Sequence, residues 1–363
     1  MRAFKGLALV AAMAGPGLAQ DSTETLEAQL ASVAKSAAPF AVGMGYQFVG
    51  DEPQWRVAGT QHRWSDVPVA EDALWHVGSI TKSFTATLIM QLQAEGRLDV
   101  TAPIATYLQT YVGQFHPSWG EITLDELMRH VAGMPVTDGF TWQSDAPRQQ
   151  RIEALRTVWE LPIEVRGTQQ YSNLGYVLAG VIAEEVTDTA WRDLVRTRIA
   201  EPLGMTSVGF GAPVTDGSPW GHHKRMGLRF PVDPETDGAD NPEWMGPAGR
   251  LHMSIADLLR WGSAHQAACS GVGETLLPQA ACLQMRASVE DTHGYGWVTQ
   301  FAEAYDQPVV WHNGSNTMWY AMLIMFPESN LSVAMAMNAS KDSLVDAASA
   351  ELAAAVLGIE LLD

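Results

Sequence analysis

The sequence predicts a mixed α/β (α+β) fold: one antiparallel sheet built from both ends of the chain, flanked by helices, with a mostly helical lobe inserted between. Two observations lead there. Alternating runs occur near the start, in FAVGMGYQFVG and QWRVAGTQ, and return near the end, in GYGWVTQF, PVVWHNG, WYAMLIMFP and LSVAMAMN. A two-residue period is the mark of a strand. Between these runs, TLDELMRHVAG, QRIEALRTVWEL and GYVLAGVIAEEV carry apolar residues at helical spacing and are separated by loops rich in Gly, Pro, Asp and Asn. With 363 residues, 47% hydrophobic and 17% charged, the chain can bury the large core that such a fold needs.

Taken in order, Thr25 to Ala37 reads as an amphipathic helix, followed by two strands that turn at glycines. A helix then begins at or near Ser79 and ends at Gly96, a natural C-terminal cap. Ser254 is placed to cap the helix SIADLLRWGSAHQAA. The PESN turn joins two late strands, and SLVDAASAELAAAVLG forms a final helix. The expected division is an α/β lobe from 20–97 and 254–363, a helical lobe from 98–253, and one domain spanning 25–357 overall. No internal repeat, low-complexity tract or flexible linker interrupts it.

The net charge of -19 and a pI near 4.8 argue against nucleic acid or an anionic membrane surface as a partner. Residues 1–19 read as a signal peptide: Arg2 and Lys5, a short apolar stretch broken near Pro16, then small residues before a cut after Ala19. The expected location is therefore periplasmic or secreted. No cysteine follows the cut to carry a lipid, and no later run of about 18 apolar residues would span a membrane. An oxidising compartment suits Cys269 and Cys282, which bracket a short loop and are expected to form a disulfide. The sequence sets no oligomeric state.

Ser79 and Lys82 lie three apart, so on a helix they share a face and the amine can reach the hydroxyl. Serine is a poor nucleophile without a base, and a partly desolvated lysine can supply one. A helix start adds free backbone N–H groups for developing negative charge. Tyr171 and Asn173, in QQYSNLGYVLAG, stand in a polar loop entering an apolar helix. A tyrosine hydroxyl can relay a proton, and an asparagine amide can hold the lysine or a substrate carbonyl. In VVWHNGSNTMWY, a strand carries His312 and Gly314, followed by Ser315, whose N–H could pair with that of Ser79 as an oxyanion hole. Taken singly, each piece has an ordinary structural explanation: a core-packing tyrosine, or a satisfied strand histidine.

Together and in this order they resemble the family of class C β-lactamases, penicillin-binding proteins and related esterases. ALWHVGSITKSFTATLIMQLQAEGRLDVTAPIATYL resembles its nucleophile block, and ITLDELMRHVAGMP its usual turn, with Ala132 where serine is common. YSNLGY matches its Tyr-x-Asn block, and GPAGRLHMSIADLLRW resembles the segment before its last strands. The resemblance implies a β-lactamase/transpeptidase-like fold. It implies Ser79 as the acylated nucleophile, Lys82 as its activating partner, Tyr171 as proton shuttle and Asn173 as an aid to placement. Whether Lys82 or Tyr171 is the general base stays open, because they would titrate as a pair. His312-Asn313-Gly314 stands where the β-lactamases have Lys-Thr-Gly and many esterase-like members His-x-Gly, which makes Asn313 and Gly314 candidate substrate contacts. A histidine with an ordinary pKa is largely neutral at pH 7 and anchors a carboxylate poorly.

The resulting expectation is an exported serine hydrolase acting on an ester, amide or D-residue peptide. The alternatives are a D,D-carboxypeptidase or penicillin-binding protein, a weak β-lactamase, and a non-catalytic sensor module. No cofactor or metal is expected: the proposed chemistry needs none, adjacent His222 and His223 point apart, and no His-Glu-x-x-His or dinucleotide-binding glycine motif occurs. The absence of Gly-x-Ser-x-Gly sets aside the α/β-hydrolases. Among the 13 tryptophans, Trp142, Trp220 and Trp244 are candidates to line a cleft.

Overall fold

The alternating runs form six antiparallel strands: β1 (Val42–Phe48), β2 (Gln54–Ala58), β3 (Val298–Ala302), β4 (Gln307–Ser315), β5 (Tyr320–Phe326) and β6 (Leu331–Met337). The computed structural model describes residues 16–135, 145–272, 276–288 and 293–360. Strand order is β2-β1-β6-β5-β4-β3. The two ends of the chain meet where β1 pairs with β6, from Val42 opposite Met337 to Phe48 opposite Leu331.

The helices that frame the sheet and the site include α1 (Pro16–Ala37), α2 (Thr81–Ala94), α3 (Leu124–Met128), α4 (Pro147–Trp159), α5 (Asn173–Thr187), α6 (Ile255–Ser270), α7 (Gln279–Arg286) and α8 (Asp342–Leu357). The middle of the sheet is buried on both faces, and its strands there alternate between two apolar environments, while the edge strands β2 and β3 are partly exposed. On β6, Leu331, Val333, Met335 and Met337 pack with Leu30 and Val33 of α1 and Leu352 of α8. Ala334 and Ala336 face the other way, toward Leu258, Leu259 and Trp261 of α6. Small residues on this second face let α6 approach closely: a Cβ on Gly43 would stand 2.9 Å from Ile255 Cγ1. Burial on both faces is why the central strands β5 and β6 are almost wholly apolar.

Helix α2 runs through the middle of the molecule, against α5, α6 and α7, with eleven of its residues buried. Its hydroxyls are satisfied internally, as burial demands. Thr81 accepts from Leu251 N (3.1 Å), Ser83 accepts from Trp261 Nε1 (2.9 Å), and Thr85 donates to the Pro247 carbonyl (2.7 Å).

Several boundaries differ from expectation. Helix α1 begins at Pro16 rather than Thr25, so the cut expected after Ala19 falls within it, while residues 1–15 lie outside the described residues. Proline is tolerated in a first helical turn because its missing N–H would be unpaired there. The TLDELMRHVAG helix is only α3; a capping box between Thr123 and Glu126 starts it, and His130, at φ 62, turns the chain away. The stretch from 98 to 253 carries helices but also long loops, the short strands Gly209–Phe210 and Leu251–Met253, and a hairpin, His222–Arg225 with Leu228–Pro231. In that hairpin His222 is buried and His223 exposed, as adjacent strand residues should be. Trp244 is a core residue, Trp220 packs on His62 at 4.8 Å between ring centres, and Trp142 lies outside the described residues. Cys269 and Cys282 form a disulfide joining the end of α6 to α7.

Burial holds several histidines neutral. It lowers His222 and His252 to about 4 each, and their Nδ1–H groups donate to the carbonyls of Asn338 and Gly211. His265, packed between Trp261 and Trp297, is likewise held well below its ordinary value. The unfolded chain therefore binds more protons than the folded one between the folded values and about 6.5, and stability rises with pH across that window. Thermal melts should show the melting temperature falling steeply from pH 6 to pH 4, by roughly 1.4 kcal/mol per pH unit for each such histidine. A melting temperature flat over that range would contradict the buried neutral assignments.

Candidate active site

The serine and the lysine are set by one local feature. Gly78–Ile80 forms a 3₁₀ turn and α2 begins at Thr81, so Ser79 stands just ahead of the helix and Lys82 in its first turn. Lys82 is completely buried. Its Nζ lies 3.0 Å from Ser79 Oγ, 2.7 Å from Asn173 Oδ1 and 2.7 Å from the Ala248 carbonyl. Desolvation lowers its pKa well below the usual lysine value.

Asn173 opens α5, which Ser172 caps by accepting from Gly175 N at 3.3 Å. Tyr171, two residues earlier, is thereby turned toward Lys82, whose Nζ lies 4.9 Å from its ring centre. The ring is exposed along one side, but desolvation pushes the phenol up to about 12, opposed by a hydrogen bond with Ser79.

His130 is a residue the sequence reading passed over. Its Nδ1 accepts from Ser172 N (3.0 Å), its carbonyl accepts from Gln170 N (2.7 Å), and its ring lies against Tyr171 at 4.4 Å. It thus grips the Tyr171 segment on both sides. His293 joins the same aromatic cluster, 5.2 Å from His130 and 6.0 Å from Tyr171. The only clue in the sequence was the histidine within LMRHVAG; His293 carried none.

From the other side comes β4, where His312 and Gly314 face α2 and Asn313 and Ser315 face away. His312 is buried, and desolvation followed by the proximity of Lys82 lowers it to about 3. Its Nδ1–H donates to the Asn313 carbonyl, and Nε2 is buried without a hydrogen-bond partner among the described residues. The Asn313 side chain donates to Tyr320 Oη at 2.8 Å, on the face away from Ser79, so it is not directed at the serine. Sequence alternation could have shown this, since Asn313 and His312 are adjacent on one strand.

Two glycines bring β4 against the serine turn. A Cβ on Gly314 would stand 2.5 Å from Ser79 N and 2.0 Å from the Val77 carbonyl. One on Gly78, at φ 51, would stand 2.3 Å from Ser315 N. Only glycine permits this approach, which sets the backbone nitrogens of Ser79 and Ser315 close together.

The fold is that of the β-lactamase/transpeptidase-like proteins. Residues 41–357 match the Beta-lactamase family model, and the chain belongs to that family. It is 25% identical over 323 residues to penicillin-binding protein 4 of Amycolatopsis lactamdurans, covering 80% of this chain and 79% of that one. It is 25% identical over 281 residues to esterase EstB of Burkholderia gladioli, covering 67% and 69%. Several further relatives, named protein flp, are matched over 53% of their length. The crystal structure of SurE superposes with a TM-score of 0.77 at 23% identity, over 96% of this chain and 79% of that one. Relatives in the family include esterases, amidases and lactamases. Among the described residues, no helix is long and apolar enough to cross a membrane.

Gly314→Ala should displace β4 from the serine turn, because the new methyl meets backbone on both sides. Chemical denaturation should show a loss of about 1–3 kcal/mol, the usual penalty of overpacking. An unchanged midpoint would mean that the approach is looser than described.

Proposed function

We propose that the chain is an exported serine hydrolase that takes an uncharged ester or amide, acylates Ser79 and passes the acyl group to water. One observation carries this reading: Lys82 is completely buried, without a carboxylate among the described residues, within reach of the Ser79 hydroxyl. Asn173 Oδ1 and the Ala248 carbonyl can only accept, and a neutral amine has two N–H groups to give them. In that form its lone pair can accept from the Ser79 hydroxyl, 3.0 Å away, whereas an ammonium would donate to all three partners, and burial decides between the two. Among the described residues, no carboxylate contributes to the field at Lys82, Tyr171, His130, His293 or His312. Without such a counter-charge, burial favours the neutral lysine.

In this mechanism Lys82 takes the Ser79 proton as Oγ forms the bond to the substrate carbonyl carbon. The N–H groups of Ser79 and Ser315 stabilise the oxyanion. Tyr171, a phenol rather than a phenolate at neutral pH, gives its proton to the leaving group and regains one from the Lys82 ammonium. Water then repeats the sequence on the acyl-enzyme.

The substrate class follows from the lack of fixed charge. A neutral His312 offers no cation to the carboxylate of a β-lactam or a peptide C-terminus. Nor does a carboxylate among the described residues of this cluster await a free ammonium. The chain is as similar to a penicillin-binding protein as to an esterase, so the choice over a D,D-carboxypeptidase or β-lactamase rests on the neutral His312. Export is supported by the pattern of residues 1–19 and by the disulfide.

Paired substrates test the reading. Neutral acyl esters should be hydrolysed with a kcat/KM at least ~100-fold above that of a cephalosporin or a D-alanyl-D-alanine peptide, as expected when a buried charge lacks its partner. Comparable values would refute it. The acylation rate should rise with pH and level off well below 10.5, because only neutral Lys82 can accept the proton. Tyr171→Phe should slow alkyl esters by about 10²–10⁴-fold and nitrophenyl esters far less, since nitrophenolate leaves without a proton. Equal slowing of both would remove Tyr171 from the acid role.

A further inference from the structure

The loop that holds Lys82 through Ala248 begins with a buried acid outside the catalytic cluster. Asp240 Oδ1 lies 2.8 Å from His76 Nε2, and both side chains are buried. The other ring nitrogen of His76, Nδ1, accepts from Gly78 N at 3.1 Å. This bond places the proton of neutral His76 on Nε2, on the side of the carboxylate, where the 2.8 Å approach is a charge contact rather than an aligned hydrogen bond. Gly78 is the residue at φ 51 immediately before Ser79, so the histidine sets the orientation of the peptide that leads into the serine.

The same carboxylate reaches the other half of the hole. Asp240 Oδ1 also accepts from Asn316 Nδ2 at 2.9 Å. Asn316 follows Ser315, and its Oδ1 accepts from Met318 N (3.2 Å) and Trp319 N (3.1 Å), which closes the turn after β4. Arg250 Nε pairs with Asp240 Oδ2 at 2.9 Å, and Asn241 clips the loop by donating to the Gly249 carbonyl at 3.0 Å. Burial alone would raise this carboxyl, yet His76, Arg250 and Asn316 together hold it at about 2. It is ionised at every working pH.

We propose that Asp240 is a positioning residue for the oxyanion hole, tying the Gly78–Ser79 turn through His76 and the Ser315–Asn316 turn through Asn316 to a single buried carboxylate. It touches no substrate and moves no proton. Its effect is geometric: donors preorganised at the oxyanion keep their value only while their orientation is held. This inference rests on the Ser79 acylation reading above and adds to it the residue that aligns the two N–H donors.

The test compares wild type with Asp240→Asn and with Asn316→Ala, which cuts only the Ser315 branch and serves if the first variant does not fold. Each is measured for ester hydrolysis and for labelling by a fluorophosphonate probe. The expected result is a fall in kcat of at least ~10-fold with KM within about twofold, and a parallel fall in the labelling rate, the pattern for loss of oxyanion stabilisation. The pH at which the rate levels off should stay where it is in wild type, because the Lys82 contacts are untouched. Folded variants that match wild type in kcat and labelling would overturn the inference while leaving the Ser79 reading intact. A shifted pH profile with raised KM would also overturn it, since it would mean a general loosening that rehydrates Lys82. Wild type that neither hydrolyses esters nor takes the label would remove the Ser79 reading itself, and this inference with it.

Discussion

The structure depends on an amine buried without a charged partner. Lys82 has no carboxylate to offset the loss of water, and its three polar contacts are a hydroxyl, an amide oxygen and a backbone carbonyl. An ammonium there would be costly, whereas a neutral amine is satisfied. The three contacts come from three parts of the chain: the turn before α2, the start of α5 and the loop preceding α6. Their convergence is what makes a serine at the edge of a helix chemically unusual.

Everything around the amine serves to keep those parts in place. The β4 strand closes on Ser79 through a glycine pair, and His130 pins the segment carrying Tyr171. The hydroxyls of Thr81, Ser83 and Thr85 lock α2 to its neighbours from within. Such an arrangement sacrifices some stability, because a lysine and several histidines are held in forms they would not adopt in water. Sites that depend on perturbed groups commonly carry that tension.

Much of the fold was legible in the sequence because alternation survives even in a sheet covered on both sides. The Ala-Met alternation of β6 announces a strand, although only the coordinates show that it separates two apolar layers rather than core from solvent. Ser79, Lys82, Tyr171 and Asn173 were legible through the ordered blocks that resemble the family, since the spacing of each pair alone has an ordinary structural explanation. The rest depended on long-range geometry. His130 acts through a left-handed backbone and a ring contact, and Asp240 through partners about 160 and 75 residues away along the chain, which no local pattern encodes. Trp244 looked like a cleft residue because a loop tryptophan and a core tryptophan read alike in sequence, and it proved to be core.

The most direct measurement is the protonation of Lys82 itself. Titration of the protein carrying ¹³C-labelled lysine, followed by NMR, would resolve the Lys82 Cε signal against the solvent-accessible Lys224, with Lys82→Met assigning it. If the account is right, that signal reports a neutral amine at neutral pH and titrates well below the ordinary lysine range. A Lys82 that remains an ammonium up to about pH 10, the usual value for a solvated lysine, would contradict it.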